Sequence, residues 1–249
     1  MLPGAVRGRG CKASRRLIHG ETAMDEISET MRDYLAALYR LDDREREDST
    51  AFVSTSALAE KLDVSAPAVN RMVTKLRENG YLIHEPYQGI QLTDMGRREA
   101  LRQLRRHRIV EAFLVNVMGF GWHEVHEEAD RMSRNLSDSL AERMSMMAGN
   151  PTTCPHGEPI PSANGDLPPL HDQLLTDAPL KTPLVLMRVR TRERDRLEYL
   201  AALGLLPGAP LELLNLAPFH GPVQLRVGKE YRIIGHNLAL MIRVRAGNP

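Results

Sequence analysis

Two pairs of side chains near the middle of the chain have the types and spacing to hold a metal ion. His107 and Glu111 stand four residues apart, which on a helix places them one above the other on the same face. His126 and Asp130 repeat that spacing on the next helical segment. The bend Gly119-Phe120-Gly121 between the segments would fold them back antiparallel, so two imidazoles and two carboxylates can converge. A nitrogen and oxygen donor set without thiolate suits Mn(II), Fe(II) or Zn(II) rather than a soft metal. Each pair alone also reads as an ordinary solvated contact, and spacing by itself leaves both readings open. The run His126-Glu127-Glu128-Ala129-Asp130 misses the HExxH of zinc proteases by its last residue, where Asp replaces the second histidine. The chain contains neither a GxSxG elbow nor a phosphate-binding glycine loop ending in Lys-Ser/Thr, and it reads as a non-enzyme.

The elements that position these residues begin with an amphipathic helix. Ile27, Met31, Leu35, Leu38 and Leu41 recur at three- and four-residue intervals before the charged run Asp42 to Asp48. Ser54 or Thr55 can cap a second helix, Ala57 to Leu62. After the break Asp63-Val64-Ser65 a third helix is expected over about 66–78, stopping at Gly80. Tyr81 to His84 and Ile90 to Leu92 read as two short strands around a turn at 86–89. This order, a helix, a helix–turn–helix and a two-stranded wing, is that of a winged helix–turn–helix, whose second helix reads the major groove. Val69, Met72, Val73 and Leu76 would face inward there, leaving Ser65, Pro67, Ala68, Asn70, Arg71 and Lys75 toward DNA. Arg can pair bidentately with guanine, Asn with adenine, and Ala can meet a thymine methyl. Three short helices with a few arginines also occur in proteins that never touch DNA; the element order favours the DNA reading. Thr93 should cap a long helix reaching about Met118, whose Arg97, Arg98, Arg102, Arg105, Arg106 and Arg108 add a basic run. A further helix is expected over about 123–147, with Met132, Leu136, Leu140 and Met144 as its apolar stripe, for packing within the chain or against a second subunit.

The rest of the chain changes character. Residues 151–183 hold eight of the 16 prolines, a density that implies an extended, semi-rigid linker. Beyond it the apolar period becomes two: five short β-runs at 184–189, 210–216, 223–227, 231–234 and 240–244, with one helix at 194–203, fit a small SH3-like barrel. Residues 1–23 carry Arg7, Arg9, Lys12, Arg15 and Arg16 without an acid before Glu21 and read as a disordered basic tail; a transit peptide or a start codon placed too far upstream would look the same. The expected organisation is therefore a tail at 1–23, a winged helix–turn–helix at 24–97, a helical metal-binding and dimerisation domain at 98–149, a linker at 150–182 and a β domain at 183–249, a mainly α chain with a small β module. The 249 residues, 42% hydrophobic and 26% charged, suffice for folded domains, and the net charge of +1 means that any nucleic-acid surface is local. No apolar run reaches the roughly 18 residues a membrane helix needs. Two cysteines, Cys11 and Cys154, make no disulfide framework and suggest a reducing, cytoplasmic setting.

From about residue 25 to 245 the sequence resembles the diphtheria-toxin-repressor and manganese-transport-regulator family of metal-dependent repressors. The resemblance rests on Tyr34-Leu35-Ala36-Ala37-Leu38-Tyr39, Val64-Ser65-Ala66-Pro67-Ala68-Val69, Leu92-Thr93-Asp94-Met95-Gly96, His107-Arg108, Val125-His126-Glu127-Glu128-Ala129-Asp130 and Cys154-Pro155-His156-Gly157-Glu158-Pro159-Ile160-Pro161. Leu203-Gly204-Leu205-Leu206-Pro207-Gly208 resembles the family's FeoA-like module. The resemblance implies a homodimer that binds a palindromic, double-stranded operator when loaded with Mn2+, or alternatively Fe2+ or Zn2+. It also implies two metal positions. His107, Glu111, His126 and Glu193 match the ligands of one, with Arg196 where some members have Gln. Asp33 and Asp130 match the other, but Ser133 and Arg134 stand where that position needs Glu and His, and Ala36 lacks the acid of dinuclear members. Arg134, four residues after Asp130, has the spacing of a helical ion pair and would repel a divalent ion there. The preferred reading is one working sensor at His107, Glu111, His126 and Glu193; the other is that Arg134 substitutes for the missing cation and weakens metal dependence. Relocated ligands at Glu127 or Glu128, an organic effector, and a metal held by Cys154 and His156 are further alternatives. For the last pair a proline-fixed structural loop is the preferred reading.

Overall fold

The computed structural model describes residues 27–45 and 52–247. The basic tail at 1–23 lies outside the described residues, as do residues 46–48 of the charged run. Helix α1 (Glu29–Glu45) is followed by α2 (Thr55–Leu62) and α3 (Ala66–Glu78), then by strands β1 (Leu82–Glu85) and β2 (Gly89–Leu92), which pair antiparallel. Ser54 caps α2 by accepting from the amide of Ala57, as its sequence position predicts. Asp63, in the left-handed conformation at φ 51°, makes the turn into α3. Buried Leu35, Leu38, Leu58, Val69, Val73, Leu76 and Ile90 close this head around one core.

Helix α4 (Asp94–Asn116) joins the head to the rest. Thr93 does more than cap it. Its hydroxyl accepts from the amide of Gly96 and donates to the carbonyl of Gly80, so the end of α3 is tied to the start of α4. A Cβ on Gly96 would fall 1.9 Å from the Tyr81 carbonyl oxygen, so only glycine allows this close approach. At 23 residues α4 is a rod of about 34 Å. Ala100, Leu101 and Leu104 belong to the core of the head; Ile109, Val110, Ala112 and Leu114 belong to a second core with α5 (Val125–Ser133) and α6 (Asp138–Met147).

The single helix expected over 123–147 is thus two. Asn135 and Ser137 interrupt it, Ser137 accepting from the amide of Leu140 to start α6 afresh. Its apolar stripe divides accordingly: Leu136 and Met144 are buried, whereas Met132 and Leu140 are exposed.

The proline-rich segment has little regular structure, but it is docked. Arg105 and Arg108 on α4 donate to the carbonyls of Pro161 and Pro159, and the amide of Val189 donates to the carbonyl of His156. Glu158 pairs with both Arg108 and Arg188, and Asp172 with Arg188 and Arg243, so one ionic network joins α4, the segment and the β module. The module starts before residue 183: the short β3 (Gln173–Leu174) pairs with β8 (Ile242–Ala246). Strands β4 (Pro183–Val189), β5 (Pro210–Leu216), β6 (Val223–Val227) and β7 (Glu230–Ile234) complete an antiparallel six-stranded sheet in the order β3-β8-β4-β5-β6-β7. Helix α7 (Arg194–Ala202) and the short α8 (His236–Ala239) flank it; α8 occupies residues just ahead of the expected last strand, which runs at 242–246. Alternating residues Leu184, Leu186, Leu211, Leu213, Val223 and Leu225 form its core.

Candidate metal centre and nucleic-acid interface

His107 and Glu111 project from the buried face of α4, 3% and 2% exposed. Helix α5 packs against that face and brings His126 to it, with His126 Nδ1 2.6 Å from Glu111 Oε1 and His107 Nε2 2.8 Å from the same oxygen. The docked segment adds two donors. His156 Nδ1 lies 3.7 Å from Glu111 Oε2 and 3.8 Å from the Cys154 sulfur. Two overlapping triads result, His107–Glu111–His126 and Glu111–Cys154–His156, with Glu111 common to both. They line a cavity of about 90 Å3. The rings stack in sequence, His126 on His156 at 4.2 Å and His156 on Trp122 at 5.4 Å between centroids.

Hydrogen bonding fixes which nitrogens carry lone pairs. His156 Nε2 donates to the carbonyl of Trp122 at 2.7 Å, which turns Nδ1 toward Glu111. His107 Nδ1 faces Asp130 Oδ1 at 3.1 Å and donates to it, while Nε2 accepts from the Arg192 guanidinium at 2.5 Å. Neither nitrogen of His126 has hydrogen-bond geometry to any partner, although both are buried. His107 Nε2, His126 Nδ1 and the Glu111 carboxylate therefore crowd one point as three potential donors, a set complementary to a cation. The residues fit a divalent ion. Burial alone would raise Glu111, but His107 first, and the His126 and His156 imidazoles beside it, hold it well below the usual carboxylate range. Burial pushes His126 down to about 4, so it stays neutral and ligand-competent at neutral pH. Burial, with Glu111 beside it, pushes the Cys154 thiol well up from its ordinary value.

Other predicted ligands are placed differently. Glu193 is 62% exposed and pairs with Arg196 at 2.7 Å; Arg192 enters the cluster in its stead. Glu193 opens α7 as its N-cap residue, and the preceding loop turns Arg192 inward. Asp130 reaches the cluster only through His107 Nδ1 and sits 3.6 Å from Arg192. Burial would raise Asp130, but the His107 hydrogen bond and the charge of Arg192 hold it well below the usual range. Asp33 lies 3.4 Å from Arg134, so Arg134 pairs with Asp33 on α1. Ser133 is buried, and Glu127 and Glu128 are occupied by Arg131. Sequence reasoning undervalued Cys154 and His156; the Cys-Pro-His-Gly run was the available signal. It missed Arg192 altogether.

On the head, Ser65, Pro67, Asn70, Arg71 and Lys75 are exposed along one side of α3 and Ala68 is half-buried. The arginines of α4 do not extend that surface as a free basic patch. Arg102 pairs with Glu99, Arg105 with Glu142, Arg106 with Asp138 and Arg108 with Glu158, while Arg97 covers the ring of Tyr39. The partners of Arg105, Arg106 and Arg108 come from α6 and the docked segment, far away in sequence.

Three family models match the chain: an iron-dependent repressor N-terminal DNA-binding domain at 26–90, an iron-dependent repressor metal-binding and dimerisation domain at 93–162, and a FeoA domain at 173–246. The iron-dependent repressor IdeR of Mycobacterium tuberculosis H37Rv is 30% identical over 233 residues, covering 89% of this chain and 99% of the relative. A manganese-dependent transcriptional repressor in complex with manganese superposes with a TM-score of 0.79 at 33% identity, over 87% of this chain and 99% of that one. ScaR with bound Zn2+ superposes at 0.73 with 32% identity, over 87% and 99%.

Proposed function

The chain belongs to the iron-dependent and diphtheria-toxin-type family of metal-dependent transcriptional repressors, and from that premise we propose that it binds a palindromic operator as a homodimer, with Mn(II) as effector and Fe(II) or Zn(II) as alternatives. The observation that carries this reading is the set of donors, His107 Nε2, His126 Nδ1, Glu111 and His156 Nδ1, gathered on one cavity. A bound divalent ion supplies the positive charge that this set lacks. His107 and Glu111 hold the α4 side of the site, His126 the α5 side, and Cys154 with His156 the side of the docked segment. Asp130 and the Trp122 carbonyl keep two of the imidazoles in the tautomer that offers a lone pair.

Because α4 is packed into both cores, the setting of its ligand-bearing half fixes the orientation of the head and of α3. Ser65, Asn70, Arg71 and Lys75 then meet phosphates and base edges. Exposed Met132, Leu140, Met146 and Met147 on α5 and α6 offer an apolar face for the second subunit. Among the described residues no helix is long and apolar enough to cross a membrane; a cytoplasmic location is part of the proposal, as is the absence of catalysis.

The test is a titration of Mn(II), anaerobic Fe(II) and Zn(II) into metal-free protein with DNA selected in vitro, repeated for His107→Ala and His126→Ala. Metal-stimulated binding that both variants lose is expected. A second reading, weak metal dependence, draws on the guanidiniums already beside Asp33 and His107. Operator affinity unchanged by chelation and by both substitutions would establish it in place of the first.

A further inference from the structure

Beside the metal centre, α1, α2, α4, α5 and the loop ahead of α7 enclose a second pocket of about 220 Å3. The resemblance places a second metal ion in this region, and the residues do not fit one. Three guanidiniums, Arg40, Arg134 and Arg192, line it against two carboxylates, Asp33 and Asp130, while Lys61 on its wall has a partner of its own. Both carboxylates already have cationic partners, Arg134 for Asp33 and Arg192 for Asp130. Arg40 has none: among the described residues it makes no hydrogen bond and no ion pair.

A second polar group in the same wall is also unsatisfied. Gln103 is 6% exposed and its Oε1 is buried without a hydrogen-bond partner. An amide turned end for end would present its NH2 there as a donor. A guanidinium with no hydrogen bond and a reversible buried amide, in a pocket where guanidiniums outnumber lining carboxylates, are complementary to an oxyanion, which accepts several hydrogen bonds in a fork geometry.

We propose that this pocket binds a small divalent oxyanion of the phosphate or sulfate type where the resemblance places a second cation. Electrostatics around Arg40 agree with the need for an anion. Although the residue keeps partial exposure, burial of its charged end, with Arg192 and Arg108 close by, pulls it down to about 9 even against the opposing pull of Asp130 and Glu111. The site stands independently of DNA binding, because its occupant is held by side chains that are not metal donors.

The experiment uses metal-free, full-length protein. Calorimetric titration with inorganic phosphate and with sulfate is run at constant ionic strength against chloride. Saturable binding of both divalent anions, and of neither in chloride competition alone, is expected. Arg40→Gln should weaken it at least tenfold while leaving Mn(II) affinity at the His107 cluster unchanged. Arg134→Gln, at a largely exposed side chain, provides a second variant that keeps the fold and should weaken anion binding severalfold. The proposal is overturned by absence of saturable anion binding, by equal affinity in wild type and in the folded Arg134 variant, or by a second equivalent of Mn(II) bound in the wild type.

Discussion

Asp130 gives the sharpest test of how the metal centre is organised. Its carboxylate receives the His107 Nδ1 proton at 3.1 Å and so holds Nε2 as a lone pair toward Glu111. Replacement by Asn keeps an acceptor oxygen at the same reach and removes the charge. Replacement by Ala removes both, freeing the ring to rotate or to change tautomer. Partners of this kind are worth about 10- to 100-fold in metal affinity. The graded expectation is about tenfold for Asp130→Asn, or about 1.4 kcal/mol, and about 100-fold for Asp130→Ala, or about 2.7 kcal/mol. Mn(II) calorimetry on full-length protein reads both affinity and stoichiometry. In each variant the number of ions bound stays the same and only the affinity falls. Loss of a whole equivalent would mean that Asp130 is itself a ligand, and unchanged affinity in Asp130→Ala would mean that His107 is oriented by something else. Either result refutes the reasoning.

Other expectations are independent of that one. Gly157→Ala should lower thermal stability by at least about 2 kcal/mol, because Gly157 has φ +84° and a Cβ there would meet the Met187 carbonyl oxygen at 1.9 Å; limited proteolysis should then cut near residues 150–170 sooner. Burial holds His126 at about 4 against an ordinary 6.5, so its neutral form stabilises the fold fully above pH 6.5 and this is lost as pH falls toward 4, on the order of 3 kcal/mol. Glu111, held below its ordinary value, adds a loss in the same direction below about pH 4.5. Urea midpoints of metal-free protein between pH 7 and 4.5 should show the decline, and His126→Gln should flatten its upper part. Arg71→Ala should cost about 1–3 kcal/mol on selected DNA and relax preference at one base, whereas Lys75→Ala should weaken all sequences alike and reduce the salt dependence. Gel-shift titrations at two salt concentrations distinguish these outcomes.

Local signals in the sequence were good guides where the structure is locally determined. The Ser54 and Thr93 caps, the α3 surface and the four-residue spacing of His107 and Glu111 all follow from neighbours along the chain. What escaped depends on contacts remote in sequence. Asn135 and Ser137 break a helix whose apolar rhythm runs on through the break. The arginines of α4 look like a DNA-facing run until α6 and the docked segment supply their carboxylates and carbonyls. Cys154 and His156 sit among prolines and suggest a tether, yet Gly157 lets the backbone lie directly on β4 and turns both side chains into the centre. One residue separates Glu193 from Arg192, and spacing alone could not tell which of the two would turn inward.

All five donor side chains, from His107 to His156, are encoded ahead of residue 162. The β module supplies none of them; it contributes Arg192, which occupies the lone pair of His107. A shortened protein ending at the proline-rich segment would keep every donor residue but lose both Arg192 and the Val189 and Arg188 contacts that dock His156 and Glu158. Appending or deleting the terminal module is then a way for a lineage to retune sensitivity to its ion without rebuilding the sensor.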